Sequence, residues 1–203
     1  ADAPPDLMKE LPEPFTPGEY TAKSTLSFVN DRFIREDSSA ELLIEGEVTD
    51  PETLERVSRA QQSAGEKNVT QTLSNDDPAL TTPLSVMEDV AASNATFNAT
   101  FTAADTDGNG VPDENLADVY DQLFSVAPDR AGRYIYRADG EYRALRMTVS
   151  IVGGASGDDV TEQMRDVADV LSGDGLQTTA TGTAVLNKIV QDQLLDTVIQ
   201  SLI

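Results

Sequence analysis

Apolar and polar positions alternate twice along the chain with the period of a strand, and each time a helical period follows. At 41–48, Leu42, Ile44 and Val48 alternate with Leu43, Glu45 and Glu47, the pattern of a half-buried strand. A helix is predicted directly afterwards, with Asp50 as N-cap, Pro51 at the first helical position and Glu52 in the first turn. Leu54, Val57, Gln61 and Ala64 mark one face of it before Gly65 stops it, and 68–73 is predicted as a return strand. The same order recurs about a hundred residues later. Leu145, Met147, Val149 and Ile151 alternate with Arg146, Thr148, Ser150 and Val152, and a glycine-rich loop at 153–157 leads to a helix capped by Asp158 or Asp159. Val160, Met164, Val167, Ala168 and Leu171 lie on one face of that helix, Gly173 and Gly175 end it, and 176–183 alternates again as a closing strand. Two β-α-β units of one spacing predict an α+β fold with helices on one face of a mixed sheet.

The rest of the chain divides around these units. Residues 1–40 form a Pro-rich arm, since Pro4, Pro5, Pro12, Pro14 and Pro17 disfavour a long helix. The first unit covers 41–73, and 74–132 is a helical insertion. Within it, Leu84, Val86, Met87 and Val90 suggest a short apolar helix, an Asn- and Thr-rich run follows at 93–100, and a helix is predicted over 113–124. The second unit covers 133–183, where Asp139-Gly140 is a hairpin signal joining 133–137 to the strong strand. The last segment, 184–203, is predicted as a helix whose apolar face switches. At about 100° per residue, Val185/Leu186 and Ile189/Val190 point one way, and Leu194/Leu195, Val198/Ile199 and Leu202/Ile203 point the other. One end suits docking on the sheet, while the other needs a partner subunit or a membrane.

Composition narrows the chemistry. The chain has 203 residues, long enough to bury a core without staples, and neither Cys nor His. That excludes disulfides, Ser/His/Asp and Cys/His nucleophiles and His-ligated zinc. With Lys+Arg 14 against Asp+Glu 36, the formal net charge is -22. Such a field repels phosphate backbones, so no nucleic-acid partner is expected. The clear periodicity argues against disorder, and Lys is confined to Lys9, Lys23, Lys67 and Lys188. The expectation is a halophilic protein, whose self-repulsion is screened in molar salt. No run of apolar residues is long enough to span a bilayer, and the chain reads as a soluble piece of something larger.

The best-defined motif is Asp105-Thr106-Asp107-Gly108-Asn109-Gly110-Val111-Pro112-Asp113-Glu114. Calcium takes six to eight oxygens, and loops of the EF-hand type supply them from alternate positions around a glycine turn. Asp105, Asp107, Asn109, the Val111 carbonyl and Asp113 fill those positions, with Gly110 at the turn and Leu116 where a bidentate Glu belongs. The cage is incomplete unless Glu114, Asp118 or water finishes it. The competing reading is an acidic turn that caps the next helix at Asp113, and any calcium would be structural. Three Asn-x-Thr sequons, at Asn68, Asn94 and Asn98, are glycosylation candidates that favour an extracytoplasmic surface. The 153–157 loop lacks the Lys of a P-loop and reads as a connection, and the Asp158/Asp159 pair reads as solvated surface. No cofactor is required and no catalytic residue is expected.

Ala40-Glu41-Leu42-Leu43-Ile44-Glu45-Gly46, the Glu-Gly-x-Val-Thr-Asp-Pro-Glu stretch from Glu45, the strand through Ala144 and Ile151, and Ala180-Thr181-Gly182-Thr183-Ala184-Val185-Leu186 stand in a telling order. In that order the chain resembles the extracytoplasmic porter segment of resistance, nodulation and division (RND) transporters, in their MMPL-like branch and haloarchaeal form. The resemblance implies a ferredoxin-like porter module between two membrane helices of a duplicated, ion-gradient-driven exporter at the cell membrane. It implies as partners the remainder of the transporter, including a second porter half, and a small apolar or amphipathic substrate. The coupling carboxylates of such a transporter lie in membrane helices elsewhere. A protein-translocation accessory of the same superfamily, and a secreted acidic calcium-binding surface protein, are the alternatives.

Overall fold

In the computed structural model, which describes residues 39–182, the sheet is organised around the first predicted strand. The elements run β1 (Ser39–Gly46), α1 (Thr53–Gly65), β2 (Leu80–Thr81), α2 (Pro83–Ser93), α3 (Ala95–Ala103) and α4 (Leu116–Val126), then α5 (Pro128–Tyr134), β3 (Ile135–Ala138), β4 (Glu141–Ser150), α6 (Gly157–Leu171) and β5 (Leu176–Gly182). β1 lies between β4 and β5 and is antiparallel to both, with Leu42 opposite Met147 on one side and Ala180 on the other. The far edge of β4 is shared end to end, β3 pairing along its first half and β2 at Thr148 and Val149. The fold is α+β. The sheet expected to be mixed is antiparallel in every described pairing, because β1 separates β4 from β5, the two strands that α6 joins in the same direction.

One face of the sheet makes the core. Ala40, Leu42 and Ile44 of β1 and Leu145, Met147 and Val149 of β4 are buried there. Against them pack Leu54, Val57, Ala60 and Ala64 of α1 and Val160, Met164, Val167 and Leu171 of α6. Each large side chain so buried contributes about 1.5–3 kcal/mol. α1 and α6 lie side by side, pinned at the surface by Lys67 Nζ to Asp166 at 2.7 Å and by Gln163 Nε2 donating to Asn68 Oδ1 at 2.6 Å. The insertion joins the same core, since Leu84, Met87, Phe97, Phe101, Leu116, Val119, Tyr120 and Leu123 belong to one buried cluster with the sheet.

Several boundaries differ from the sequence reading. α1 begins at Thr53, and its cap position is Glu52 with no side-chain cap, so Asp50 does not cap it; the Asp50 carbonyl instead accepts from Thr53 N at 3.0 Å. The return strand at 68–73 is reduced to bridges at Thr70 and Thr72. β2 occupies the edge beside Thr148 and Val149, so Gln71 N reaches only the Ser150 carbonyl, at 2.8 Å, and Val69 O accepts from Val152 N at 2.9 Å. The Asn- and Thr-rich run is helical as α3. Asn94 Oδ1 accepts from Phe97 N at 3.0 Å, and Phe97 and Phe101 bury one side of that helix. α5, started by Pro128, runs on through Tyr134, where the sequence suggested the start of a strand. Ser156, not Asp158 or Asp159, caps α6, accepting from Asp159 N at 3.1 Å. The hairpin is as predicted, with Asp139 and Gly140 both at positive φ (53° and 82°), as a two-residue turn of the primed type requires.

Ser39 and Ala40, assigned above to the arm, open β1. Ala40 pairs with Gly182, so the described chain starts and finishes on neighbouring strands at one end of the sheet. The rest of the Pro-rich arm and the helix predicted at 184–203 lie outside the described residues. Among the described residues no helix is long and apolar enough to cross a membrane.

Candidate functional site

The acidic loop joins α3 to α4 and is closed at its base by the Ala104 carbonyl, which accepts from Asp113 N at 2.8 Å and Glu114 N at 3.0 Å. Gly108 and Gly110 take positive φ (76° and 88°), which lets the backbone curl around the Asp105 carboxylate. Asp105 Oδ1 accepts from Gly108 N at 2.9 Å and Asn109 N at 3.1 Å, and its Oδ2 accepts from Gly110 N at 2.9 Å. Asp107 accepts from Asn109 N and Asn109 Nδ2, both at 3.0 Å. Asn109 Oδ1 accepts from Val111 N at 2.8 Å, while its Nδ2 also reaches Glu55 Oε1 at 3.3 Å. Val111 and Pro112 are buried and seat the loop on the core.

Of the predicted calcium ligands, the fold gathers Asp105, Asp107 and Asn109 into one turn and sends Asp113 elsewhere. Asp113 faces Thr106, taking its amide at 2.9 Å and its hydroxyl at 3.0 and 2.9 Å. The Thr106 amide, helped by the hydroxyl, holds the Asp113 carboxyl below the usual carboxylate range. Nor does Asp113 cap α4, which starts at Leu116 behind Asn115 in the left-handed region. Glu114 and Asp118 are exposed. Among the described residues, no three His, Cys, Asp or Glu side chains gather so as to hold a metal ion. The carboxylates stabilise the turn by filling their acceptor positions with protein N–H and O–H groups.

The sequons are sorted by their surroundings. Asn68 bonds to α6 through Gln163, and the hydroxyl of its Thr70 is buried and donates to the Ala64 carbonyl at 2.6 Å. Asn94 is half-buried as the α3 cap, and Asn98 is exposed in mid-helix. The 153–157 loop connects β4 to α6 with Gly154 at φ 87°, and serves as the cap of α6 through Ser156.

Two features had no signal in the sequence beyond ordinary alternation. On the face of the sheet away from α1 and α6, Leu43 is 38% and Tyr136 60% exposed, beside an Arg146–Glu41 pair at 2.7 Å. At the hairpin, Tyr142 donates to Asp121 Oδ1 at 2.6 Å, and Arg137 donates to the same oxygen at 3.0 Å. Arg137 lies over the Phe124 and Tyr142 rings at 5.4 and 5.8 Å. Burial and the Asp121 bond push the Tyr142 phenol up to about 12. Cavities are shallow: one of about 400 Å³ lies at Glu45, Gly46 and the Gly173 turn, another of about 370 Å³ between α3 and α4 at Ala99, Ala103 and Val119.

No family model, no curated protein sequence and no solved structure matches this chain.

Proposed function

We propose that this chain is the extracytoplasmic porter domain of an ion-gradient-driven exporter of the RND/MMPL type, acting in the passage of an apolar or amphipathic substrate without catalysing a reaction. The observation that carries the reading is the pairing of Ala40 with Gly182. A domain looped out between two neighbouring membrane spans must take in and return its chain at one place, and these two strands do so.

The strand order supports the same reading. With β2 and β3 together filling one place, the order is β5, β1, β4, then β2 and β3, with α1 and α6 over one face. A ferredoxin-like module built from two split β-α-β units would have this order, which supports the reading. A single core lets it rock as one body, the way repeated transporters alternate access. Beyond Gly182 the sequence carries the apolar pairs from Leu194 to Ile203. The calcium-binding surface-protein alternative rests on the acidic loop, whose carboxylates are occupied by the protein's own donors.

The test uses the full-length gene product in its native cells. It should stay with membranes after alkaline carbonate washing. Cells lacking it should accumulate a lipophilic fluorescent substrate that wild-type cells expel until an ionophore collapses the ion gradient. A full-length product released into the medium, or export indifferent to the gene, overturns the reading.

A further inference from the structure

We propose that Asn98 carries an N-linked glycan, an inference that rests on the extracytoplasmic placement above. Of the three sequons, it alone has both side chains without a hydrogen bond among the described residues, with Asn98 exposed and Thr100 half-buried. Asn98 is exposed on α3, and among the described residues neither its side-chain carboxamide nor the Thr100 hydroxyl makes a hydrogen bond. Asn68 is engaged by Gln163 and its Thr70 is buried; Asn94 is half-buried at the helix start. Asn94 also lies one turn before Asn98, so a glycan on one crowds the other.

The surface around Asn98 fits a sugar. Residues 90–104 contain no Asp, Glu, Lys or Arg, the longest such run in a chain of net charge -22. Their exposed members include Ala95, Thr96, Ala99, Thr102 and Ala103, while Phe97 and Phe101 hold the other side of α3 in the core. A bulky neutral glycan can lie over this face without desolvating an ionised group, and it supplies the hydration that charge supplies elsewhere. α3 is 9 residues long, and a helix this short is marginal outside its tertiary contacts, so the sequon is open to a transferase before the domain closes.

The donor is a lipid-linked oligosaccharide activated through a phosphate at its anomeric carbon. Asn98 Nδ2 forms the C–N bond to that carbon, the C–O bond to the phosphate breaks, the lipid phosphate leaves with the electron pair, and the amide proton passes to a base of the transferase. Asn98 Oδ1 is untouched.

The experiment takes the full-length protein from native membranes, cleaves it before Asp residues, and sequences the 89–104 peptide by tandem mass spectrometry. The expected result is a saccharide mass increment on Asn98, lost in both Asn98→Gln and Thr100→Ala and retained in Asn94→Gln. The Thr100→Ala variant keeps the asparagine, so its loss of the increment reports the sequon and not a folding defect. A bare Asn98, or an increment on Asn94 or Asn68 instead, overturns the assignment. Protease added outside intact cells separates the two readings. Cleavage within 39–182 together with a bare Asn98 overturns the glycan and leaves the porter placement, whereas full protection overturns the placement and the glycan with it.

Discussion

The Tyr120 hydroxyl donates to the Val48 carbonyl at 2.9 Å, with both residues buried, and so ties α4 of the insertion to the turn that follows β1. α4 is thereby fastened to the core that β1 shares with α1 and α6. Tyr120→Phe keeps the ring against Tyr142, whose centroid is 5.0 Å away, and strips the carbonyl of its only donor among the described residues. The expected cost is about 1–3 kcal/mol, the penalty of a buried acceptor left unsatisfied. Urea unfolding should show a lower midpoint at unchanged slope; an unchanged midpoint would mean that water reaches Val48.

The same phenol fixes an alkaline limit. Burial, and the neighbouring Tyr142, raise the Tyr120 pKa far above its ordinary value of 10.0. The folded state then keeps a proton that the unfolded state releases. Stability is therefore complete below pH 10 and falls as pH rises above it, by up to about 1.4 kcal/mol per unit for one such group. Tyr142, raised to about 12 but partly solvated, adds a smaller share in the same direction. Absorbance of tyrosinate should rise together with loss of structure for Tyr120, and an early, separate titration of all five tyrosines would contradict this burial.

Two glycines should respond differently to alanine. Gly46 sits at φ +124°, and a Cβ there would be driven into the Gly175 carbonyl where β1 meets β5. Gly140 sits at φ +82° with open space around it. Gly140→Ala should cost only the left-handed penalty of about 1–2 kcal/mol. Gly46→Ala adds a backbone collision at the end of the β1–β5 ladder and should lower the melting temperature by clearly more. Equal losses would mean that the β1–β5 junction opens freely.

The periodic elements were legible because one burial decision repeated along each of them. Leu42 and Ile44, Leu145 to Val149, and Val160 to Leu171 all pack as their spacing requires. What escaped was decided by contacts distant in sequence. The return strand at Thr70 lost its place to Leu80 and Thr81, which no local pattern announces. α3 was hidden because Asn and Thr are weak helix formers, and Phe97 and Phe101 override that preference only once the core exists. In the acidic loop the residues were visible but their partners were not. Spacing could not tell that Thr106 would claim Asp113.

That loop gives a prediction in which metal and protein donors compete. Asp105 accepts three backbone amides, so Asp105→Asn, which keeps the shape but turns one acceptor into a donor, should destabilise by about 1–2 kcal/mol in calcium-free buffer. Asp113, whose pKa is lowered, contributes stability that is present above its unfolded value and lost as pH falls through the lowered one; Asp113→Asn should flatten the acid limb. Melting curves with and without millimolar calcium should coincide for the parent. A calcium-dependent rise that Asp107→Asn abolishes would show the carboxylates turning from the amides onto the ion.

Salt tests the acidity. At net charge -22, repulsion acts over about 10 Å in 0.1 M salt and about 3 Å in 1 M, so the melting temperature should climb steeply over that range of KCl. α6 localises the effect: its last turn holds no basic residue, and Asp169 there is exposed at the negative end of the helix dipole. Asp169→Asn should therefore stabilise by about 0.3–1 kcal/mol at low salt. Because screening removes the same repulsion, the gain should vanish in molar KCl. A gain that persists at all salt concentrations would be packing rather than charge, and a melting temperature flat across KCl would remove the halophilic reading.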